Sequence, residues 1–300
     1  MGAGVSKARP ATHHGLVVVD KPGGITSHDV VARCRRVFGQ RQVGHGGTLD
    51  PSATGVLLVG LGAATRLLRF VVALPKSYEG EVVLGTETTT LDADGETLAT
   101  HDMAGVTLDD VRQAAAALTG AIDQVPPMVS AVKVGGRRLY ELARDGTEVE
   151  RVARPVLVHR FDVEPGPEPG VFAVRVECSS GTYVRTLAAD LGSALGGGAH
   201  LRSLRRTAIG PFTAEAATPL DSVAPRHVLA PVAAVAHLGR VTVDATTAEA
   251  VGHGAVLRPD ALTVSGDGPW AVVDGDGDLL AVYEARPDGT TKPSVVLAAR

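Results

Sequence analysis

Short apolar runs rich in β-branched residues alternate with segments of helical periodicity along the first 210 residues of the chain. The runs at 16–19 and 56–59 predict buried strands. Between them, the apolar residues of 30–38 fall at helical spacing, with Ser27 as the predicted N-cap and Gly39 as the predicted stop. This alternation predicts a mixed α/β (α+β) fold.

The same periodicities continue further along the chain. Residues 78–84 alternate as a strand, and the apolar spacing of 63–72 predicts a helix. Thr107 caps another predicted helix, with acidic residues in its first turn. The remaining predicted elements are strands over 154–163 and 171–178 and an amphipathic helix over 182–195.

The two ends of the chain differ from its middle. Residues 1–14 predict a flexible tail and lack the apolar stretch of a signal peptide. Four prolines between positions 211 and 231 predict a domain boundary. After it, short strands and Gly/Asp turns predict a small β-rich unit over residues 231–300.

Composition narrows the class of protein. Of the 300 residues, 44% are hydrophobic and 21% are charged, which excludes a disordered chain. Cys34 and Cys178 stand far apart and no CxxC pair occurs, so neither a disulfide framework nor a zinc or redox site is expected. No apolar run approaches the roughly 20 residues of a membrane span. These features predict a protein of the reducing cytoplasm with no membrane partner.

The net charge of −4 weighs against a simple basic nucleic-acid binder. Residues 231–300 carry nine acids and five bases, so the rest of the chain is balanced. Within that part the bases cluster, and such patches attract a phosphate backbone, although a solvated helix face explains any one of them as well. The clusters are Arg33, Arg35, Arg36 and Arg41; Lys133, Arg137, Arg138 and Arg144; Arg151, Arg154 and Arg160; and Arg202, Arg205 and Arg206.

The metal and cofactor motifs of the chain are incomplete. The run of alternating Asp and Gly at 274–278 starts like an EF-hand loop but continues with Leu279 where Gly is needed, so it predicts a hairpin turn. Gly60 and Gly62 lack the third glycine of a dinucleotide fingerprint. His13 and His14 have no acidic or cysteine partner nearby. No metal and no cofactor are therefore expected.

The segment 44–58 (GHGGTLDPSATGVLL) is unusual because four glycines and a proline flank one carboxylate, Asp50, and a strand follows. Glycines let a backbone approach a ligand closely. Pro51 biases Asp50 towards an extended conformation. The pattern indicates a loop that presents Asp50 rigidly, and a turn in which Asp50 is only a local cap is the alternative.

This segment resembles the catalytic-aspartate motif GHTGTLDPxATGVL of the TruB family of tRNA pseudouridine synthases. Gly46 stands where the family usually has Thr. Four further segments resemble family motifs in the same order, so the resemblance covers about residues 15–210. They are DKPGGITS at 20–27, KSYEG at 76–80, CSSGTYVRTL at 178–187 and LRSLRRT at 201–207.

The resemblance implies a mixed-sheet pseudouridine synthase domain over 15–230, with an RNA-clamping insertion at 124–152 and a small PUA-like domain at 231–300. It implies an isomerase that flips a uridine of the tRNA T-arm loop, at position 55, into a pocket with a catalytic aspartate. The implied partner is tRNA. Neither DNA nor an obligate protein partner is expected, because the chain has no evident extension for one.

The resemblance also implies residue roles. Asp50 is the catalytic carboxylate, and Arg185 is the cation that keeps it charged. Tyr78 stacks on the target base and Tyr183 is a second aromatic of the pocket. Core packing of the two tyrosines is the alternative.

Three more residues carry weaker implications. Leu204 resembles a pocket wall. His45 is suited to fill the space that the flipped base vacates, with a satisfied loop histidine as the alternative. Lys21 is assigned to the loop or the RNA, with bracing of its own turn as the alternative.

Two other functions fit the residues less well. An RNA-binding module or tRNA chaperone without chemistry leaves the full set of Asp50, Tyr78, Tyr183 and Arg185 unexplained. A pseudouridine synthase acting on ribosomal RNA within a guide complex is the other alternative.

Overall fold

The computed structural model describes residues 11–130, 133–147, 149–258, 261–264 and 266–297. Its strands are β1 Gly15–Lys21, β2 Val43–Gly46, β3 Thr54–Leu61, β4 Lys76–Leu84, β5 Thr86–Thr88, β6 Thr97–Thr100, β7 Gly120–Gln124, β8 Lys133–Val134, β9 Arg137–Arg138, β10 Arg154–Pro165, β11 Val171–Cys178, β12 Ala199–Ile209, β13 Phe212–Thr213, β14 Thr218–Pro219, β15 Gly239–Thr242, β16 Trp270–Val273, β17 Leu279–Ala285 and β18 Thr291–Val296. Its α-helices are α1 Ser27–Phe38, α2 Leu68–Val72, α3 Leu108–Ala117, α4 Leu139–Arg144, α5 Val184–Ala194 and α6 Ala245–Gly252. Short 3₁₀ helices cover Gly62–Leu67, Leu220–Ser222, Pro225–His227 and Pro231–Val235.

The described chain divides into two compact units. The first holds the residues up to Asp50, the segment Leu57–Val72 and the residues from Ala216 onwards. The second holds Pro51–Val56 and Ala73–Glu215. The domain division at residue 230 rests on composition, and it stays a prediction.

The first unit places α1 on a small mixed sheet. β1 lies between β14, which is parallel to it, and β3, and β2 is antiparallel to β3. Apolar residues of β1, α1 and β3 form one core, including Val17, Val30 and Leu57. α1 ends at Gly39, which takes the left-handed φ of 60° as predicted.

The N-terminus of α1 corrects one prediction. The N-cap is Thr26, whose hydroxyl accepts from the Asp29 amide while the Asp29 carboxylate accepts from the Thr26 amide. Ser27 is the first helical residue. Thr26 and Ser27 are adjacent hydroxyl residues, so either could serve as the cap. Asp29 lies three residues after Thr26, the spacing of a capping box, and this explains why Thr26 is the N-cap.

The C-terminal part of the first unit forms the small β-rich structure predicted from the sequence. β15, β16, β17 and β18 make a four-stranded sheet in that order. Its own core includes Val241, Trp270 and Tyr283. The run of Asp and Gly at 274–278 is the hairpin turn between β16 and β17, where the Asp274 carboxylate accepts from the amides of Asp276 and Asp278.

The second unit contains the larger part of a mixed sheet, in the order β3–β12–β4–β11–β10–β7. β12 is parallel to β3, and the pairings of β4, β11 and β10 are antiparallel. Alternate side chains of β4, such as Val82 and Leu84, are buried, whereas Glu79 on the opposite face is exposed. Helix α3 packs against β10, and α5 packs against β12. The predicted mixed α/β fold is therefore confirmed.

Some segments differ from their predictions. Residues 44–46, the start of the segment predicted as the Asp50 loop, belong to strand β2. The sequence did not predict this strand because two of its four residues are glycines, so no alternation of side chains can be recognised. Residues 63–72 form a 3₁₀ helix followed by α2 rather than one α-helix. Of the predicted flexible tail, residues 1–10 lie outside the described residues, and Thr12 and His13 donate backbone N–H groups to the Gln40 side chain.

The contact between β2 and α2 explains why position 46 is a glycine. A Cβ atom built on Gly46 lies 2.9 Å from Val71 Cγ2 and 3.3 Å from Leu68 Cδ2. Real Cβ atoms almost never approach a neighbour to 2.9 Å, so α2 occupies the space that a threonine side chain needs here. The side chains of Leu68 and Val71 fill the space beside Gly46, and this explains why a glycine fits this position.

We expect Gly46→Thr to lower the free energy of unfolding by about 1–3 kcal/mol, the usual penalty for overpacking a core. Adding Val71→Ala to that variant should restore part of the loss, because it removes the clashing methyl groups. Gly105→Thr is the control, since a Cβ there meets nothing within 4 Å. Urea unfolding of the four proteins measures the effect, and a Gly46→Thr variant as stable as Gly105→Thr would contradict this explanation.

Candidate active site

Asp50 lies in the loop between β2 and β3, where it is half-buried. Gly47 and Gly55, on either side of it, adopt positive φ values of 98° and 101° that favour glycine. The residue before it, Leu49, is buried and binds the hydroxyl of Ser27 through both its N–H and its C=O. The loop therefore has a defined backbone path at the predicted catalytic carboxylate.

His45 and Lys21 belong to the same unit as Asp50. The His45 ring meets the ring of His28 edge to face, with centroids 5.2 Å apart. The Lys21 ammonium is fully buried and donates to the carbonyls of Pro22 and Ile25 at 2.9 and 2.8 Å. These two bonds brace the turn after β1, which is the structural role weighed for Lys21 from its sequence.

Tyr78 and Leu204 lie on one face of the second unit's sheet. Tyr78 of β4 is 8% exposed and pairs with Arg206 of β12, while Leu204 pairs with Gly80. Tyr78 and Gly80 are two residues apart on β4 and therefore share a face of the sheet. Leu204 pairs directly with Gly80, so the side chains of Leu204 and Tyr78 project to the same side. A Cβ on Gly80 lies 3.4 Å from Leu204 Cδ1, which shows that Leu204 leans over the bare glycine.

Arg206 corrects the surface-patch interpretation of its cluster. It is 1% exposed, and its Nε donates to the Val56 carbonyl at 2.8 Å. A register shift in β12 between Leu201 and Ser203 changes the strand's alternation, so that Arg206 points to the buried face. Arg202, by contrast, lies on the exposed face and pairs with Glu81 and Glu168.

Arg185 is a buried cation that several oxygen atoms hold in place. It lies in the first turn of α5, is 4% exposed, and forms an ion pair with Asp92 at 3.3 Å between Nη1 and Oδ2. Its guanidinium also donates to the carbonyls of Thr90 and Val129, at 2.9 and 2.8 Å. A buried guanidinium needs such oxygens, because an unpaired charge in the interior is costly.

Asp92 is itself fixed by its surroundings. Its Oδ1 accepts from the Thr90 hydroxyl and from the Asp94 amide. Its segment is bonded to β12 through the backbone of Leu201, with Leu91 in the left-handed region at φ 62°. A leucine there costs about 1–2 kcal/mol, so the surrounding bonds must maintain the strained turn.

Tyr183, the half-buried N-cap residue of α5, has no side-chain cap of its own. The buried carboxamide of Gln124 supplies the contact from outside the helix. It accepts from the Tyr183 N–H at 2.7 Å and donates to the Tyr183 C=O at 3.0 Å. This pair of bonds holds the backbone two residues before Arg185.

Lys76 is a buried cation on the same strand and face as Tyr78. Its Nζ donates to the Leu74 carbonyl at 2.6 Å. Burial first, and the nearby charge of Arg206 second, lower the pKa of Lys76 to about 8. Burial raises the pKa of its cross-strand neighbour Cys178 to about 11, so that residue stays a thiol at neutral pH.

A cavity of about 510 Å³ opens within the second unit along β4, β10, β11 and β12, and Leu204 forms part of its wall. Its charged lining is mostly acidic, with two arginines among four carboxylates. Those residues are Glu79, Glu81, Asp162, Glu164, Arg175 and Arg205. This balance does not suit a phosphate group.

The predicted insertion at 124–152 contains the β8–β9 pair and α4. Leu139 and Leu142 of α4 are buried, and Arg137 pairs with Asp145. Side-chain positions of Lys133, Arg138, Tyr140 and Arg144 lie outside the described part of the structure, so its basic surface stays a prediction.

The structure adds three residues that the sequence did not single out for the site: Asp92, Gln124, and Ser27 in its role beside Leu49. Asp92 lies 93 positions before Arg185 and Gln124 lies 59 before Tyr183, so spacing gave no signal. Several threonines precede Asp92 in the sequence, and they indicate a turn but do not indicate that Asp92 pairs with Arg185.

Over the described residues, no group of three or more His, Cys, Asp or Glu side chains is placed to hold a metal, and no helix combines the length and apolarity needed to cross a membrane.

Comparison with known families and proteins gives consistent matches. The model of the N-terminal domain of TruB family pseudouridylate synthases matches residues 35–184, and that of the tRNA pseudouridylate synthase B C-terminal domain matches 185–230. The tRNA pseudouridine synthase B of Mycobacterium sp. (strain KMS) is 49% identical over 290 residues, covering 94% of this chain and 96% of that protein. The enzyme of the same name from Thermobifida fusca (strain YX) is 49% identical over 294 residues, covering 95% and 98%.

A similar solved structure is that of an H/ACA RNP bound to a substrate RNA containing 2′-deoxyuridine. The matched chain is 26% identical and superposes with a TM-score of 0.72, covering 96% of this chain and 86% of that one.

We expect Asp92→Ala to lower the free energy of unfolding by about 3 kcal/mol, because it removes a carboxylate from a buried guanidinium. Glu164→Ala is the control. It removes an exposed ion pair with Arg112 at 3.1 Å, worth about 0–1 kcal/mol. Urea unfolding compares the two variants, and equal losses would show that Asp92 contributes no more than a surface carboxylate.

Lys76 predicts a pH dependence of stability. The folded protein releases this proton near pH 8, whereas the unfolded chain releases it near the ordinary value of 10.5. Between these values the unfolded state binds more protons, so the contribution of Lys76 to the free energy of unfolding rises with pH. The difference in unfolding free energy between wild type and Lys76→Met should therefore shift in favour of wild type from pH 8 to 10. Parallel pH profiles would contradict the lowered pKa.

Proposed function

The chain belongs to the TruB family of pseudouridine synthases, and we propose that it converts the uridine at position 55 of tRNA, in the T-arm loop, to pseudouridine with Asp50 as the catalytic carboxylate. The observation that carries this proposal is the 49% identity to tRNA pseudouridine synthase B over almost the whole chain. It makes the chain an isomerase that modifies tRNA. The T-arm target and the role of Asp50 are the finer, proposed steps.

The reaction rearranges one nucleotide. The bond between C1′ and N1 of uridine breaks, the base turns, and C1′ bonds to C5, whose proton is released while N1 gains one. Atoms and electrons balance without an oxidant, and no metal or cofactor is part of the proposal. Cleavage of the C1′–N1 bond needs a carboxylate that acts as a nucleophile or as a base at the sugar, and Asp50 is proposed to supply it.

Arg185 is the proposed cationic partner that keeps Asp50 ionised. A carboxylate in a dry pocket tends to gain a proton, and a fixed guanidinium opposes this. The ion pair with Asp92 and the two carbonyl contacts support the proposal, because they fix the guanidinium before substrate arrives. Preorganised charge of this kind acts without reorganisation during the reaction.

The flipped base is assigned to the face of the sheet that carries Tyr78 and Leu204. Tyr78 offers the stacking ring, Leu204 an apolar wall over Gly80, and Tyr183 a second aromatic surface. Base stacking on an aromatic side chain is worth about 1–3 kcal/mol, which offsets the few kcal/mol lost when the base leaves its stack. His45 is proposed to fill the vacated position. Lys21, whose ammonium is buried in its own turn, is proposed to support the adjoining loop.

The remaining parts of the chain are assigned to binding. Residues 124–152 are proposed to clamp the tRNA arm through their basic side chains. Residues 231–300, with a net charge of −4, are proposed to add modest affinity and no chemistry. The enzyme would act in the cytoplasm, and no obligate protein partner is proposed.

A ribosomal RNA target within a guide complex is less well supported. The likeness to the H/ACA RNP chain, at 26% identity and a TM-score of 0.72, shows a shared fold. Identity of 49% to proteins named for tRNA favours tRNA.

We expect Asp50→Asn to abolish product formation while tRNA binding stays within about twofold of wild type. Asparagine keeps the shape of the side chain but can neither attack as a carboxylate nor act as a base at the sugar. Tritium release from [5-³H]uridine-labelled tRNA measures turnover, and filter binding measures affinity.

Two tRNA substrates test the target position in the same assay. Tritium release should persist with wild-type tRNA and disappear when position 55 is cytidine. Release from the cytidine-55 tRNA at the normal rate would exclude position 55 as the target, and substantial turnover by Asp50→Asn would exclude Asp50 from the mechanism.

A further inference from the structure

We propose that Ser27 is a positioning residue for Asp50, acting through the backbone of Leu49. This inference rests on the proposed role of Asp50. It concerns a side chain 22 positions away from Leu49 in sequence, on a different secondary-structure element.

The Ser27 hydroxyl makes two bonds to one residue. Its Oγ donates to the Leu49 carbonyl at 3.1 Å and accepts from the Leu49 N–H at 2.9 Å. Ser27 is 1% exposed and Leu49 is 4% exposed, so water does not compete for these groups. A hydroxyl suits this position because it is both a donor and an acceptor.

These bonds constrain the backbone of Asp50 through peptide planarity. The Leu49 carbonyl and the Asp50 nitrogen belong to one planar unit, so fixing the carbonyl fixes the direction in which the chain enters Asp50. On the other side, Pro51 biases Asp50 towards an extended conformation. The backbone of Asp50 is thereby restrained on both sides, before it by Ser27 through Leu49 and after it by Pro51.

Ser27 is available for this task because Thr26 caps the helix. The Thr26 hydroxyl and the Asp29 carboxylate satisfy the capping box of α1. The Ser27 hydroxyl is therefore not needed to cap the helix, and it instead joins α1 to the loop through Leu49. Removing it would leave the N–H and C=O of Leu49 buried without this partner, and the loop would relax to recover other hydrogen bonds.

The test compares Ser27→Ala with Thr26→Ala as a matched control. Both remove one hydroxyl from the same end of α1, and loss of the cap costs about 1 kcal/mol. Only Ser27→Ala touches the loop of Asp50. Measurements are the single-turnover rate at saturating tRNA, the Kd for tRNA, and Tm, with rates taken well below the Tm of every variant.

We expect Ser27→Ala to lower the single-turnover rate by ten- to a hundredfold while the Kd stays within twofold of wild type, because small displacements of a reacting group have effects of this size. Thr26→Ala should lower Tm but leave the rate within twofold. Ser27→Cys, which keeps the size but bonds weakly, should also be slow and provides the test if Ser27→Ala does not fold.

Wild-type rates for Ser27→Ala and Ser27→Cys would overturn the inference, as would an equal loss of rate in Thr26→Ala, which would trace the effect to α1. Asp50→Asn measured alongside separates the two proposals. If it is inactive while the Ser27 variants are normal, only the positioning role fails, and if it turns over, the role of Asp50 itself fails.

Discussion

Buried cations determine how several loops of this protein are held. Lys21, Lys76, Arg185 and Arg206 are each less than 9% exposed. Burying a charge is costly unless oxygens replace the lost water, and each of these residues donates to at least one backbone carbonyl. The carbonyls are supplied mainly by turns and loops, so each buried cation fixes the irregular backbone around it.

Arg185 shows the consequence for the proposed chemistry. Its guanidinium joins helix α5 to the Thr90–Asp92 turn and to the carbonyl of Val129, near the start of the proposed insertion. An arginine held this firmly loses little further side-chain entropy when it meets a carboxylate. Its five N–H donors also allow several partners at once, which a lysine ammonium cannot offer in one plane. The residue is thus suited both to structure and to the proposed stabilisation of Asp50.

The sequence predicted the regular elements where its pattern is clear: a short apolar run in β1, alternation in β4, and helical spacing or capping in α1 and α3. It failed at β2, where glycines hide the alternation, and at Arg206, where a register shift turns an apparently exposed arginine inward. The motifs named Asp50, Tyr78, Tyr183 and Arg185. They did not reveal Asp92, Gln124 or the bond from Ser27 to Leu49, because those contacts join residues 22 to 93 positions apart and depend on tertiary structure.

The neighbourhood of Asp50 illustrates why a short motif is more informative than the single carboxylate that it contains. A single carboxylate has the same intrinsic chemistry anywhere on a surface, so its selectivity must come from a fixed direction. Here that direction is determined by groups with no reactivity of their own. Gly47 and Gly55 permit the turns, Pro51 restricts one dihedral angle, and the hydroxyl of Ser27 holds the preceding peptide plane. Because these restraints act on the backbone, they fix the point and the direction from which the Asp50 side chain projects, and so they support the carboxylate in its proposed role.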